Sequence, residues 1–219
     1  AASVQSLVEK EFGAIPAGEA RRYEPPEEPP QQGERRVTVR RPGPLPLLSV
    51  AYHVPAADHP DTPSIWMLGA VLGAGRSSRL YLALVSAGLA SSASAGSSET
   101  VDPHLFRLSV TARPDSDRAR VEAVALETVE AVARDGIDHS ELAKARRQFR
   151  AGHVFGTEGI TNQARSIGSS AIAGDWRRAD TYLDDLELVT AEDVRRACAK
   201  YLVERNRTVG WFIPEGESR

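Results

Sequence analysis

Cysteine is almost absent: Cys198 is the only one in 219 residues. An intrachain disulfide is therefore impossible, an oxidising compartment gains no support, and zinc sites of the Cys-rich kind are excluded. Lysine is nearly absent too. Of the 27 basic residues only Lys10, Lys144 and Lys200 are lysine. Long apolar runs are lacking: the longest, Ile65 to Gly75, falls short of the roughly 20 residues that cross a bilayer, so no membrane span is expected. Charge of one sign is lacking as well. The formal net charge of -3 gives no electrostatic reason to expect nucleic acid or an anionic membrane as a partner. There is no initiator Met and no signal-like leading segment, and a cytoplasmic location is the expectation.

What is present is an ordinary globular balance, with 41% hydrophobic and 26% charged residues, in a chain long enough to bury a sizeable core. Val4, Leu7, Val8 and Phe12 fall on one helical face from the start, with Ser3 as a cap and Gly13 as a stop. A chain that begins in mid-pattern reads as part of something longer. Residues 14–34 read as an extended linker, because Pro25-Pro-Glu-Glu-Pro-Pro30 has no apolar payload and several fixed φ angles. Glu24, Glu27 and Glu28 in it read as solvated. Arg35 to Arg41 alternates as a half-buried strand, and Leu47 to Val54 as another, with Leu48, Val50 and Tyr52 on one face. Ile65 to Leu72 reads as a helix stopped by Gly73, and Arg79 to Ala87 as a second, capped by Ser77 or Ser78 and ended by Gly88. Leu89 to Ser98 reads as a strand whose small side chains let something pack closely, and Leu105 to Ala112 as its successor.

From Asp115 the period becomes helical. Val121, Val124, Ala125, Val129 and Val132 make a stripe. Asp138-His-Ser-Glu141 is a capping box for a helix through about Phe155. Ile160 to Ile172 and Thr181 to Leu188 read as further helices, Thr190-Ala-Glu-Asp193 caps the next, and Arg207 to Ile213 is a last strand stopped by Pro214. This order of elements predicts an α+β domain over residues 1–219, with a mostly antiparallel sheet covered by helices.

The chemistry-bearing candidates are few. Gly73-Ala-Gly75-Arg-Ser-Ser78 looks like a phosphate cradle, but a dinucleotide fingerprint needs a strand before its glycines, whereas Ile65, Leu68 and Leu72 share a helical face. A P-loop needs a lysine, and none is near. The segment reads instead as a helix–glycine–helix joint. The histidines, His53, His59, His104, His139 and His153, contain no pair spaced as a helical zinc motif; His53 with His59, or His153 with Glu158, could meet only through the fold. Gly168-Ser-Ser170 lacks a nucleophile elbow, Cys198 sits in an amphipathic helix as a buried thiol, and Asp184, Asp185 and Glu187 read as a solvated helix face. No catalytic, metal-binding or substrate-binding residue is assigned from the residues alone.

Leu72-Gly-Ala-Gly-Arg-Ser-Ser-Arg-Leu-Tyr81, followed by Gly88-Leu89-Ala90 and a small-residue strand, resembles the second domain of the pitrilysin/insulinase family of zinc peptidases. That family includes the mitochondrial processing peptidase and the bc1 core subunits. Phe12-Gly-Ala-Ile-Pro16, Asp138 to Arg150, Gly174-Asp175, Val189 to Asp193 and Asn206 to Pro214 match it in order. The resemblance implies the non-catalytic C-terminal domain of one half, which forms part of a peptide-binding chamber and a partner interface. Zinc belongs to an N-terminal domain outside this chain, on a His-x-x-Glu-His motif. The family's substrate-holding Arg and Tyr fall, by alignment on Gly88-Leu89, at Leu84 and Ser91, so both are lost and Leu84 and Leu89 become packing residues. Arg76 and Arg79 would start a helix in solvent, or face a partner or the chamber. The implied partners are the chain's own N-terminal zinc domain, a peptide substrate, and a homo- or hetero-dimeric half that supplies Arg and Tyr. The alternative is a scaffold domain of an inactive member, of the bc1 core kind. The expected outcome is that the parent reading frame carries His-x-x-Glu-His upstream of Ala1; sequencing that region decides, and its absence selects the scaffold.

Overall fold

The computed structural model describes residues 2–16, 18 and 28–215. The chain divides into two units, residues 1–30 and 31–219. The first contains α1 (Ala2–Phe12), which holds Ser3 inside its first turn rather than ahead of it. The apolar stripe Val4, Leu7, Val8 and Phe12 is exposed. Residues 17 and 19–27 of the expected linker at 14–34, including Glu24 and Glu27, lie outside the described residues; Glu28 is exposed.

The second unit is built on five strands, β1 (Arg35–Pro42), β2 (Leu47–Val54), β3 (Ala90–Ser97), β4 (His104–Ala112) and β5 (Arg207–Glu215). Their spatial order is β1-β5-β2-β4-β3. Only β1 and β5 run parallel; the remaining pairs are antiparallel. The helices are α2 (Thr62–Gly73), α3 (Arg118–Asp135), α4 (His139–Gly156), α5 (Ile160–Ile172), α6 (Arg178–Leu188) and α7 (Ala191–Tyr201). The expected α+β class and order of elements are observed. One expectation is corrected: β1 is exposed along its whole length, not half-buried. It is an edge strand whose alternation faces no layer among the described residues, with Val37 51% and Val39 41% exposed.

One face of the sheet carries the core. In β2 the alternation places Leu48, Val50, Tyr52 and Val54 inward, and β4 does the same with Phe106, Leu108 and Val110. Each such side chain contributes roughly 1.5–3 kcal/mol by leaving water. Against them lies α2, which is apolar nearly all round, as a fully buried helix must be. Its start is fixed by Asp61, 5% exposed, whose carboxylate takes Lys200 Nζ at 2.8 Å, the Tyr201 hydroxyl at 2.7 Å and Arg196 at 3.2 Å from α7. Both expected capping boxes are formed, Asp138 with Glu141 and Thr190 with Asp193. α3 is tied to the sheet by Trp211 Nε1 donating to Glu122 at 2.8 Å.

The close packing expected over Leu89 to Ser98 is made by α2. A Cβ on Gly73 would stand 2.0 Å from the Ala95 backbone nitrogen, and one on Gly69 would stand 3.1 Å from Gly96 Cα. Gly73 is the last residue of α2 and its closest point to β3, as well as its stop. Two helical glycines cost about 1 kcal/mol each in propensity. Burial of Ile65, Met67, Leu68, Val71 and Leu72 outweighs that several-fold.

The outer helices are less regular in their allegiance. α5 places Ser170 inward, 7% exposed, and leaves Ile160 87%, Ile167 46% and Ile172 77% exposed. Its apolar side faces out. Gly73→Ala is expected to destabilise the domain by about 1–3 kcal/mol through overpacking against β3. Gly168→Ala on α5, where an added Cβ meets nothing within 4 Å, is expected to be neutral or stabilising by up to about 1 kcal/mol. Urea unfolding of both variants measures the contrast.

Candidate functional site

The loop after α2 follows a helix, not a strand, so the dinucleotide-type cradle has no scaffold here. Its geometry comes from a turn. Gly75 has φ +80°, a conformation glycine adopts without strain, and Ser78 Oγ closes the turn by donating to the Gly75 carbonyl at 2.8 Å. The chain then enters a helical segment with π geometry over Tyr81–Val85, where Ser86 N donates to Tyr81 O at 2.9 Å and Leu89 N to Leu84 O at 2.9 Å. The wider winding lies within the region read from sequence as a regular helix from Arg79 to Ala87. It seats Leu84 in the core at 0% exposure.

Three side chains of α4 hold this loop. Glu141 accepts from Arg79 through both carboxylate oxygens, each at 2.7 Å, while Arg79 also donates to the Gly136 carbonyl at 2.9 Å. Lys144 Nζ donates to the Ser77 carbonyl at 2.8 Å, and Gln148 Nε2 to the Ala74 carbonyl at 3.1 Å. Arg79 is thus not a solvated helix start but half of a part-buried ion pair. Arg76 remains exposed, with its guanidinium 5.9 Å from the Tyr81 ring centre. The clamp was missed from sequence, although the spacing of Glu141, Lys144 and Gln148 along one helix face carried the signal. Burial pushes the Glu141 carboxyl up, but the hydrogen bonds from Arg79 and from the Asp138 backbone outweigh it and hold the group below its ordinary range.

The positions aligned with the family's Arg and Tyr are 84 and 91. Leu84 is packed in the core, and Ser91 is an exposed residue of β3 whose hydroxyl donates to Thr111 O at 3.2 Å. Leu89 packs against the core partly buried. Cys198 is buried, donates to the Val129 carbonyl at 3.5 Å, and has its thiol pushed up to about 12 by burial. At neutral pH it is protonated and not a nucleophile. Glu187 is not simply solvated, because it pairs with Arg150 at 2.7 Å and Arg146 at 3.5 Å. His153 stacks on Tyr182 at 5.8 Å. Among the described residues no three His, Cys, Asp or Glu side chains come together as a metal site. The residues present do not fit zinc, and no hydrolytic step is assigned to them. No helix among them is long and apolar enough to cross a membrane.

The face of the sheet opposite α2 is bare among the described residues. Ser94 of β3, Ser109 of β4, Ser49 of β2 and Gly210 of β5 form one row across it. The outer edge of β3 pairs with no other strand among the described residues.

A five-stranded, mostly antiparallel sheet backed on one face by helices defines an α+β domain. The family model described as "Peptidase M16 inactive domain" matches residues 1–149, and the chain belongs to that family. An uncharacterized zinc protease of Mycobacterium tuberculosis (strain H37Rv) is 31% identical over 155 residues, 70% of this chain and 35% of that protein. The chain thus spans about a third of the length of the curated relatives it matches. Among solved structures, a protease from Helicobacter pylori superposes with a TM-score of 0.90 at 23% identity, over 98% of this chain and 53% of that one. The peptidase M16 inactive domain from Pseudomonas fluorescens does so with 0.79 at 17% identity, over 100% and 52%. These two show the fold, and the resemblance read from the motifs to the non-zinc domain of a zinc-peptidase family holds.

Glu141→Gln is expected to cost about 2 kcal/mol, the scale of a hydrogen bond to a charged group. It is also expected to flatten the acid limb of the stability curve. A carboxyl held low in the folded state contributes stability that is present above its unfolded value and lost as pH falls through the folded one, here below about pH 4. Chemical denaturation from pH 7 down to pH 3 checks both outcomes.

Proposed function

We propose that residues 1–219 act as one module, the non-catalytic C-terminal domain of a zinc-dependent endopeptidase, and that the bare face of its sheet forms one wall of the chamber in which the peptide lies. The observation that carries this is the row Ser94, Ser109, Ser49 and Gly210. Small side chains on an uncovered face leave room for an extended chain, and the unpaired edge of β3 offers backbone groups to it by strand addition. Zinc, carried by the N-terminal domain of the parent, supplies the chemistry of peptide hydrolysis. This chain's residues bind and exclude water.

The outward apolar side of α5 supports the second half of the proposal, an interface with another domain of the parent or with a partner half that provides Arg and Tyr. Three isoleucines of one helix left in solvent, Ile160, Ile167 and Ile172, suit a contact surface. In such a half, Leu84 and Ser91 contribute packing and strand structure rather than substrate contacts.

Ser109→Trp, introduced into the parent protease, is expected to lower kcat/KM for peptide hydrolysis about tenfold or more, the scale of one altered contact to substrate, while leaving the melting temperature of the 219-residue chain near that of the wild type. Unchanged kcat/KM would remove the chamber-wall reading. The 219-residue chain alone, assayed with added zinc, is expected to show no turnover of a casein or insulin substrate.

A further inference from the structure

On the helical side of the domain, away from the bare sheet face, a cavity of about 460 Å³ lies among α2, α4, α5 and α6, within the size range of sites for small molecules. Its apolar wall is aromatic. Tyr182 lies 5.4 Å from Trp66 and 6.2 Å from Phe149, ring centre to ring centre. Gly152 on α4 leaves room, since an added Cβ there meets nothing within 4 Å. Burial, and after it the charge of Glu99, push the Tyr182 hydroxyl up to about 12, so it stays a neutral donor.

The polar part of the wall is unfinished. Nη1 of Arg178 and Oε1 of Gln148 are both buried and have no hydrogen-bond partner among the described residues. Both residues line the cavity, and so do the acidic residues Glu99 and Asp185. A buried guanidinium nitrogen and a buried amide oxygen left unpaired each keep the full cost of leaving water, so groups of this kind are normally satisfied by something. The two lack opposite things: Arg178 lacks an anionic acceptor, and Gln148 lacks a donor.

We propose that this cavity binds a zwitterionic small molecule of the α-amino acid class with an apolar side chain. The carboxylate pairs with Arg178. The ammonium is met by Gln148 Oε1 and by the negative charge of Glu99 and Asp185. The side chain packs against Trp66, Phe149 and Tyr182. The same chemistry is presented in part by the ends of a peptide: a free C-terminus offers the carboxylate without the ammonium, and a free N-terminus the reverse. The site is independent of the chamber-wall reading, because it lies on the other side of the sheet.

Isothermal titration of the 219-residue chain with L-leucine, leucinamide and N-acetylleucine tests this. Leucine is expected to bind saturably at one site. Each derivative, having lost one charge, is expected to bind at least about tenfold more weakly, the scale of one charge-assisted hydrogen bond. N-acetylleucine binding as well as leucine would move the assignment to a peptide C-terminus, and leucinamide doing so would move it to an N-terminus; either overturns the amino-acid proposal. No saturation with leucine, phenylalanine or methionine up to their solubility overturns it as well and leaves ordered water to pair the two atoms. Arg178→Gln is expected to make leucine and leucinamide bind within about twofold of each other; a preference for leucine that survives this change removes Arg178 from the site. The series on the unaltered chain stands even where that variant folds poorly.

Discussion

The approach of α2 to β3 is the constraint on which the rest is arranged. With a Cβ on Gly73 only 2.0 Å from a backbone nitrogen of β3, no other residue type leaves the helix where it is. That proximity explains why β3 is made of Ala, Ser and Gly, since a larger inward side chain would lift α2 off the sheet. It also explains why the chain turns so tightly afterwards, because a helix ending against a strand must leave sideways. The positive φ of Gly75 and the widened π turn that follows are the local means of leaving.

From that exit the second layer is positioned. Glu141 does two jobs with one carboxylate: it completes the N-terminal cap of α4 and it receives Arg79 from the loop. The start of α4 and the segment that follows the loop after α2 are therefore tied by the same group, and Lys144 and Gln148 extend the seam along one helix face back to Ser77 and Ala74. An arginine suits this position better than a lysine would, because the planar fork matches both carboxylate oxygens at once. The outcome is that the most recognisable motif of the chain serves to orient helices.

Much of this was legible beforehand, and the parts that were not have physical reasons. The alternation of β2 and β4, the two capping boxes and the valine stripe of α3 were visible because period and cap chemistry are local. The exposure of β1 was not, because Val37 and Val39 alternate as they would on a buried strand, and only the fold reveals that no layer among the described residues covers them. α5 was legible as a helix, but which of its sides faces the protein depends on neighbours that periodicity does not name. The site is the same case in stronger form. A row of serines drawn from three strands, and a cavity assembled from four helices, join residues far apart in sequence, and no spacing rule links them.

The two borders of the sheet differ in character. β1 presents Arg35, Arg36, Arg40 and Arg41 and closes with Pro42, a combination of like charge and a missing amide hydrogen that repels another strand. β3 presents only small uncharged side chains. Joining two copies border to border through their arginine sides is disfavoured by the like charges of Arg35, Arg40 and Arg41, whereas Arg36 is paired with Glu34 and Glu122. Growth of the sheet by one more strand has a direction, and the protein keeps a receptive border without the aggregation hazard that two of them would bring.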